Sequence, residues 1–197
     1  GKSYNNVIKL TELFSGNHPL LTQAFHPMTI RFFILHSHYR STLDFSSEAL
    51  VASEKAMKRL WEAYEILQKL AIGNEQMATE VELDAKVNNW LDELPGFMDD
   101  DMSTPKVLAN MFEMAPIINS LKDGLIKDGA LSTATLQKMK ESFKLFLEDI
   151  MGLQNVSATD NETFQGVMQL LIEIRKEAKG KKDFATSDKI RNQLTEL

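Results

Sequence analysis

Large apolar side chains return at intervals of three, four and seven residues along most of this chain, and no stretch sustains an apolar–polar alternation. That period belongs to helices buried along one side, not to strands. It is clearest in Leu50, Met57, Leu60, Trp61, Tyr64 and Leu67, one stripe on a helix expected over 47–70. Composition agrees. Only 9 glycines and 5 prolines interrupt the 197 residues, and 43% of the residues are apolar, enough to build a core.

Start and stop signals place the other helices. Thr11 reads as the cap of a single turn over 12–14, stopped by Ser15-Gly16-Asn17, after a short extended piece over 5–10. Pro27 suits the first turn of a helix over 27–35 that is apolar almost all round. Arg31 interrupts it and should pair with a carboxylate or a helix end. Ser46 caps the 47–70 helix, Phe45 and Leu50 have the spacing of a hydrophobic staple, and Gly73-Asn74 ends it. A helix over 79–94 should bury Leu83, Val87, Trp90, Leu91 and Leu94 and stop at Pro95-Gly96. Thr104 as cap and Pro105 open the next, whose stripe is Leu108, Met111, Phe112, Ala115 and Ile118. Pro116 should kink it, because proline removes a backbone donor and crowds the preceding turn.

Ser132, between the staple pair Leu131 and Leu136, opens a further helix. Its inward residues are Leu136, Met139, Phe143, Phe146, Leu147 and Ile150, and Gly152 is its stop. Helices over 162–179 and from 183 onward should turn Phe164, Val167, Met168, Leu171 and Ile174, then Phe184, Ile190 and Leu194, inward. Short connections favour antiparallel neighbours. The expected fold is all-α: one up-down helix bundle, with the N-terminal stretch packed at one end. Trp61 and Trp90 fall on stripes and read as core residues, not stacking platforms.

Charge and cysteine content remove several function classes. The net charge is −6 with a pI near 5.3, so bulk charge will not attract nucleic acid, and RNA binding would need a local basic face. There are no cysteines, which excludes disulfides and thiolate metal sites. The longest apolar cluster, around Phe32 to Leu35, is far short of the ~20 residues that cross a bilayer. Gly1-Lys2-Ser3-Tyr4-Asn5 is neither a signal peptide nor an initiator, which reads as a start within a longer protein.

Four features invite chemistry. Gly1-Lys2-Ser3 matches the close of a phosphate-binding P-loop, but that fold needs a parallel sheet that the rest of the chain does not supply. Asp99, Asp100 and Asp101 suggest a cation site. Consecutive carboxylates diverge, however, and their place before a helix N-terminus favours a capping role. His36, His38, Tyr39 and Arg40 combine phosphate donors with a stacking ring, or form a hinge whose groups satisfy one another. Arg175, Lys176, Lys179, Lys181, Lys182, Lys189 and Arg191 are the densest basic group, read either as an RNA face or as an ordinary solvated surface.

Several segments, in one order, resemble the cysteinyl-tRNA synthetases. Gly1-Lys2-Ser3-Tyr4-Asn5-Asn6 resembles the tail of the Lys-Met-Ser-Lys-Ser loop of class I synthetases, with Gly1 where serine is usual. Pro27 to Phe33 resembles the helix that follows. His38-Tyr39-Arg40-Ser41-Thr42-Leu43-Asp44-Phe45-Ser46 is similar to a "His-Tyr-Arg-Ser-Pro-Leu-Asp-Phe-Ser" segment, with Thr42 replacing the proline. Met98-Asp99-Asp100-Asp101-Met102-Ser103-Thr104-Pro105 resembles "Met-Asp-Asp-Asp-Phe-Asn-Thr-Pro". Arg175 to Ala178 and Lys182 to Arg191 resemble the family's closing motif.

The resemblance implies a small mixed stem-contact segment with the end of the signature loop over 1–45. A helical, DALR-like anticodon-binding bundle follows over 46–197. It implies a tRNA-binding portion of an ATP-dependent cysteine–tRNA ligase, cytoplasmic and monomeric, with tRNA(Cys) as partner. Lys2, with Ser3, would face the ATP phosphates, and His38, Arg40, Arg175, Lys176, Lys179, Lys181, Lys182 and Arg191 would face tRNA. ATP with magnesium and one zinc belong to the whole enzyme, and no cofactor is expected on this stretch, which would not catalyse alone. The competing expectation is a non-catalytic helical module that binds a protein through an apolar surface.

Overall fold

Ser46 starts the longest well-packed helix by accepting the Ala49 amide at 3.1 Å, a side-chain N-cap as its sequence foretold. The computed structural model describes residues 7–73, 76–156, 158–181 and 183–196, and among them every regular element is helical. These are α1 (Leu10–Ser15), α2 (Pro27–Leu35), α3 (Ser47–Lys69), α4 (Val81–Asp99), α5 (Thr104–Lys122), α6 (Thr133–Phe143), α7 (Ala158–Gly180) and α8 (Phe184–Glu196). α6 runs on into a π-helical stretch, Lys144–Ile150. The chain forms two compact units, one of Pro27–Asn155 and one of Gly1–His26 with Val156–Leu197. The α7–α8 pair thus falls outside the unit built by α3 to α6, where a single bundle was expected.

In the larger unit the apolar stripes meet as the period demands. Leu50, Met57, Leu60, Trp61, Tyr64 and Leu67 of α3 are all buried, and from Met57 onward they share one core with Val87, Leu91 and Leu94 of α4 and Leu108, Met111, Ala115 and Ile118 of α5. Pairings give the directions. Asn110 of α5 reaches Trp90 and Glu93 of α4, and Lys106 lies over Phe97, so α4 and α5 run antiparallel. Lys140 of α6 donates to the carbonyls of Gln68 and Leu70, while Tyr64 bonds Glu148, so α3 and α6 are antiparallel too. Asp84, Asn88 and Asp92 of α4 meet Ser132, Thr135 and Lys138 in ascending order, which makes α4 and α6 parallel.

Burial overrides several local signals. α4 does not stop at Pro95; it continues to Asp99, because Phe97 and Met98 still pack on the core in its last turn. The missing proline donor is tolerated where Leu91 and Leu94 already fix the helix. α5 likewise passes through Pro116 unbroken. Ile150, expected inward, is exposed: the i→i+5 bond from the Met151 amide to Phe146 winds the chain more widely and brings Met151 inward instead. Arg31 finds the helix end allowed for it, donating from Nε to the Met151 carbonyl at 2.6 Å. Gly152 follows at φ 59°, and a Cβ there would meet the Arg31 guanidinium at 2.9 Å.

Two caps also differ. α1 begins at Leu10, where Glu12 accepts the Lys9 amide at 2.7 Å, so Thr11 lies inside the helix. Thr104 is not a cap either, as its hydroxyl donates to the Leu35 carbonyl at 2.7 Å and closes the end of α2. Phe45 packs on the Phe33 ring, with centroids 4.8 Å apart. Trp61 is buried as expected, whereas Trp90 is half-buried with Lys86 Nζ 4.8 Å from its ring centre.

The connections before α4 and before α6 are stitched together. Thr79 and Glu80 donate their amides to Gly129 and Ala130 at 2.8 and 3.1 Å, and Thr133 donates to Gln76. In the other unit, Asp183 caps α8 through the Thr186 amide at 3.1 Å. The bonds from Thr186 hold this carboxyl below its usual range.

Two measurements test the core. Leu67→Ala should cost about 2–5 kcal/mol in urea unfolding, because Leu67 is fully buried in the shared core. The Tyr64 phenol is held above its ordinary range by burial and by its bond to Glu148. The unfolded chain ionises at about pH 10 while the folded state keeps the phenol neutral, so stability is lost as pH rises past that point. Tyr64→Phe should lessen this alkaline loss in denaturation curves at pH 8 to 11.

Candidate nucleic-acid interface

The end of α2 and the turn between α4 and α5 are brought together by the Thr104–Leu35 bond. Just beyond α2, residues 38–41 make a turn closed by the Ser41 amide on the His38 carbonyl. Facing it, α4 ends in a chain reversal with Asp101 at φ 61° and Met102 at φ 49°. Left-handed backbone costs about 1–2 kcal/mol at each such residue. Amides of Met102 and Ser103 bond back to Met98 and Phe97, which hold the reversal in place.

That reversal aims one carboxylate at three donors. Tyr39 donates its hydroxyl to Asp101 Oδ1 at 2.5 Å, and Arg40 Nη2 reaches the same oxygen at 3.1 Å. His38 Nε2 stands 3.5 Å from Asp101 Oδ2. The donors also order one another. Arg40 Nε donates to the Tyr39 oxygen at 2.9 Å, the His38 and Tyr39 rings stack at 4.9 Å, and the guanidinium carbon lies 5.4 Å from the Tyr39 ring centre. His38 Nδ1 accepts the Arg40 amide, which leaves Nε2 as the nitrogen that faces the carboxylate with a proton. The bond to Tyr39 and the charge of Asp101 raise the Arg40 pKa further, so it stays charged throughout. Arg40 remains 70% exposed at its side chain.

The three aspartates therefore do not cap α5 as expected. Asp101 serves the 38–40 turn, and Asp100 pairs with Lys106 at 3.3 Å. Among the described residues no group of three or more His, Asp or Glu side chains is placed to hold a metal ion. His36 does not join the cluster: its ring stacks on Phe32 at 5.9 Å and meets Phe112 edge-on. Asp101 is the residue that sequence reading missed. Both halves of the cluster stood out as motifs, but nothing in the sequence pairs positions 62 apart.

The basic group lies in the other unit. Buried Ala178 and Ser187 mark the inner sides of α7 and α8, so helical period puts Lys176 and Lys189 on the sides away from them. Lys179 is exposed and Arg175 half-buried. Lys181 pairs with Glu177 at 3.6 Å and Arg191 with Asp188 at 3.3 Å, both exposed contacts of small energy. On α7, Arg175, Lys176 and Lys179 fall within about 100° of one another and so share one side of the helix. Val167, Ile174 and Phe184, expected inward, are exposed, as is Leu170. Lys2, Ser3 and Lys182 lie outside the described residues, as do the side chains of Phe164, Met168 and Leu194.

Residues 97–155 match the family model of the DALR domain, a stretch from the last turn of α4 through the π-helical segment. Along its whole length the chain is 46% identical to the cysteine–tRNA ligase of Parabacteroides distasonis and 48% identical to that of Bacteroides thetaiotaomicron. It is 44% identical to the one from Porphyromonas gingivalis. In each case it spans 39% of the relative's length.

Replacing Thr104 by valine keeps the shape but leaves the Leu35 carbonyl without its donor. Thr104→Val should lower stability by about 1 kcal/mol, read as a shifted urea midpoint.

Proposed function

This chain belongs to the cysteine–tRNA ligase family, as a stretch matching 39% of its relatives' length, and we propose on that premise that it is the tRNA-binding part of such a ligase. The full-length enzyme activates cysteine with ATP and attaches it to tRNA(Cys). The end-to-end identity, with the DALR match on the α4–α6 side, is the observation that carries this reading. Residues 1–45 serve the stem side and 46–197 the anticodon side. This functional division crosses the packing one, since α2 belongs to the unit Pro27–Asn155.

Phosphate contacts fall to His38 and Arg40 on the turn after α2, and to Arg175, Lys176, Lys179, Lys181, Lys182 and Arg191 near the end of the chain. With a net charge of −6, the chain binds RNA through these local cations alone, and affinity falls with salt as counterions are released. Lys2 and Ser3 contribute to ATP binding in the whole enzyme. Magnesium accompanies the nucleotide, and the one zinc is held outside this cysteine-free stretch. The enzyme works in the cytoplasm as a monomer, and none of the described helices is long and apolar enough to cross a membrane.

The exposed Val167, Leu170 and Ile174 favour a second reading, a helical module that binds a protein through this apolar stripe. A fluorescence titration with tRNA separates the two. The ligase reading expects salt-sensitive binding that charge reversal at Lys181 and Lys182 weakens about tenfold or more at low salt. Affinity indifferent to salt, or none, speaks for the protein-binding module.

A further inference from the structure

Three donors of different chemistry converge on one oxygen pair at the 38–40 turn: a guanidinium, a phenol hydroxyl and an imidazole N–H. Such a set suits a phosphodiester as well as a carboxylate, because both offer two anionic or polar oxygens on one centre. Here the cradle holds an anion of the protein's own. We infer that Asp101 is a built-in competitor, which fills the phosphate position of the His38–Tyr39–Arg40 cradle and yields it when RNA binds. This deepens the tRNA reading above and rests on it.

Four observations carry the inference. The competitor comes from a different element, the reversal after α4, which is fastened by its own backbone bonds to Phe97 and Met98. Its carboxylate can therefore leave by side-chain rotation while the turn stays folded. Both partners are open to solvent, Arg40 at 70% and Asp101 at 36% of their side chains, so an RNA backbone can approach. An ion pair this exposed is weak enough to be exchanged. Finally, the cradle keeps its shape without Asp101, since Arg40 Nε on the Tyr39 oxygen, the His38–Tyr39 stack and the Arg40 amide on His38 Nδ1 are all internal to the turn.

The arrangement sets a threshold. A lone phosphate group gains little by displacing a tethered carboxylate. A tRNA held at several points presents its phosphate at high effective concentration and displaces it. Asp101 thus acts as a selectivity residue that discourages polyanions which engage only this point.

The test measures tRNA binding by the full 197-residue chain across a salt series, for the unsubstituted protein, Asp101→Asn, Arg40→Ala and the double variant. Asp99→Asn serves as the control, because it removes the same charge without touching the cradle. Expected is binding about threefold or more tighter for Asp101→Asn, with a steeper salt slope by roughly one phosphate contact. Asp99→Asn should change affinity less than about twofold, and the gain should vanish in the double variant. Circular dichroism confirms folding. Should Asp101→Asn unfold the chain, Asp101→Ser is measured in its place with the same expectations.

If the unsubstituted chain binds tRNA but removing the Asp101 carboxylate brings no gain, or a gain that survives Arg40→Ala, the competitor role is overturned and the tRNA reading stands. If no variant binds tRNA, the tRNA reading falls and the competitor role with it. A chain that binds only once the Asp101 carboxylate is removed supports both.

Discussion

Four helices share one apolar interior, and that shared burial sets the rest. Leu67, Val87, Leu94, Leu108, Met111, Met114, Ile118, Met139 and Phe143 come from all four, and none retains accessible surface. Each such side chain contributes about 1.5–3 kcal/mol on leaving water, so together they outweigh any single propensity. This is why α4 and α5 carry prolines in their interiors, and why the end of α6 adopts a wider winding to keep Phe146, Leu147 and Met151 inside.

The same interior positions the candidate interface. α4 extends past Pro95 only because Phe97 and Met98 still find the core, and that extra turn delivers the reversal at Asp101 and Met102. Phe32 anchors α2 in the same core, so the turn after α2 arrives opposite the reversal. Packing thus carries two polar motifs, far apart in sequence, to one place. The resulting cluster is exposed and contributes little to stability, which is the condition under which it can exchange partners.

Much of this was legible in the residues. Period alone gave the helical class, and every large side chain it assigned to the stripe of α3 is buried, as are Ser47 and Ala63 beside them. Ser46 and Ser132 announced helix starts by chemistry that operates within a single turn. Local rules fail where core burial or a distant partner decides instead, as at Pro95 and Thr104. Thr104 has the residue type of a cap but finds the Leu35 carbonyl more useful. For the candidate site, the donors His38 and Arg40 were visible as types, while their acceptor was not. On α7 the apolar period suggested an inward stripe, yet Val167 and Ile174 are exposed. Amphipathic spacing tells which residues share a face and leaves open what meets that face.

The stitched connections before α4 and α6 have a kinetic meaning. Thr79, Glu80 and Thr133 tie the link between α3 and α4 to the link between α5 and α6. Breaking those bonds would loosen both links together, so the amide protons of Thr79, Glu80 and Thr133 are expected to gain exchange in step, ahead of the helices that the core still holds.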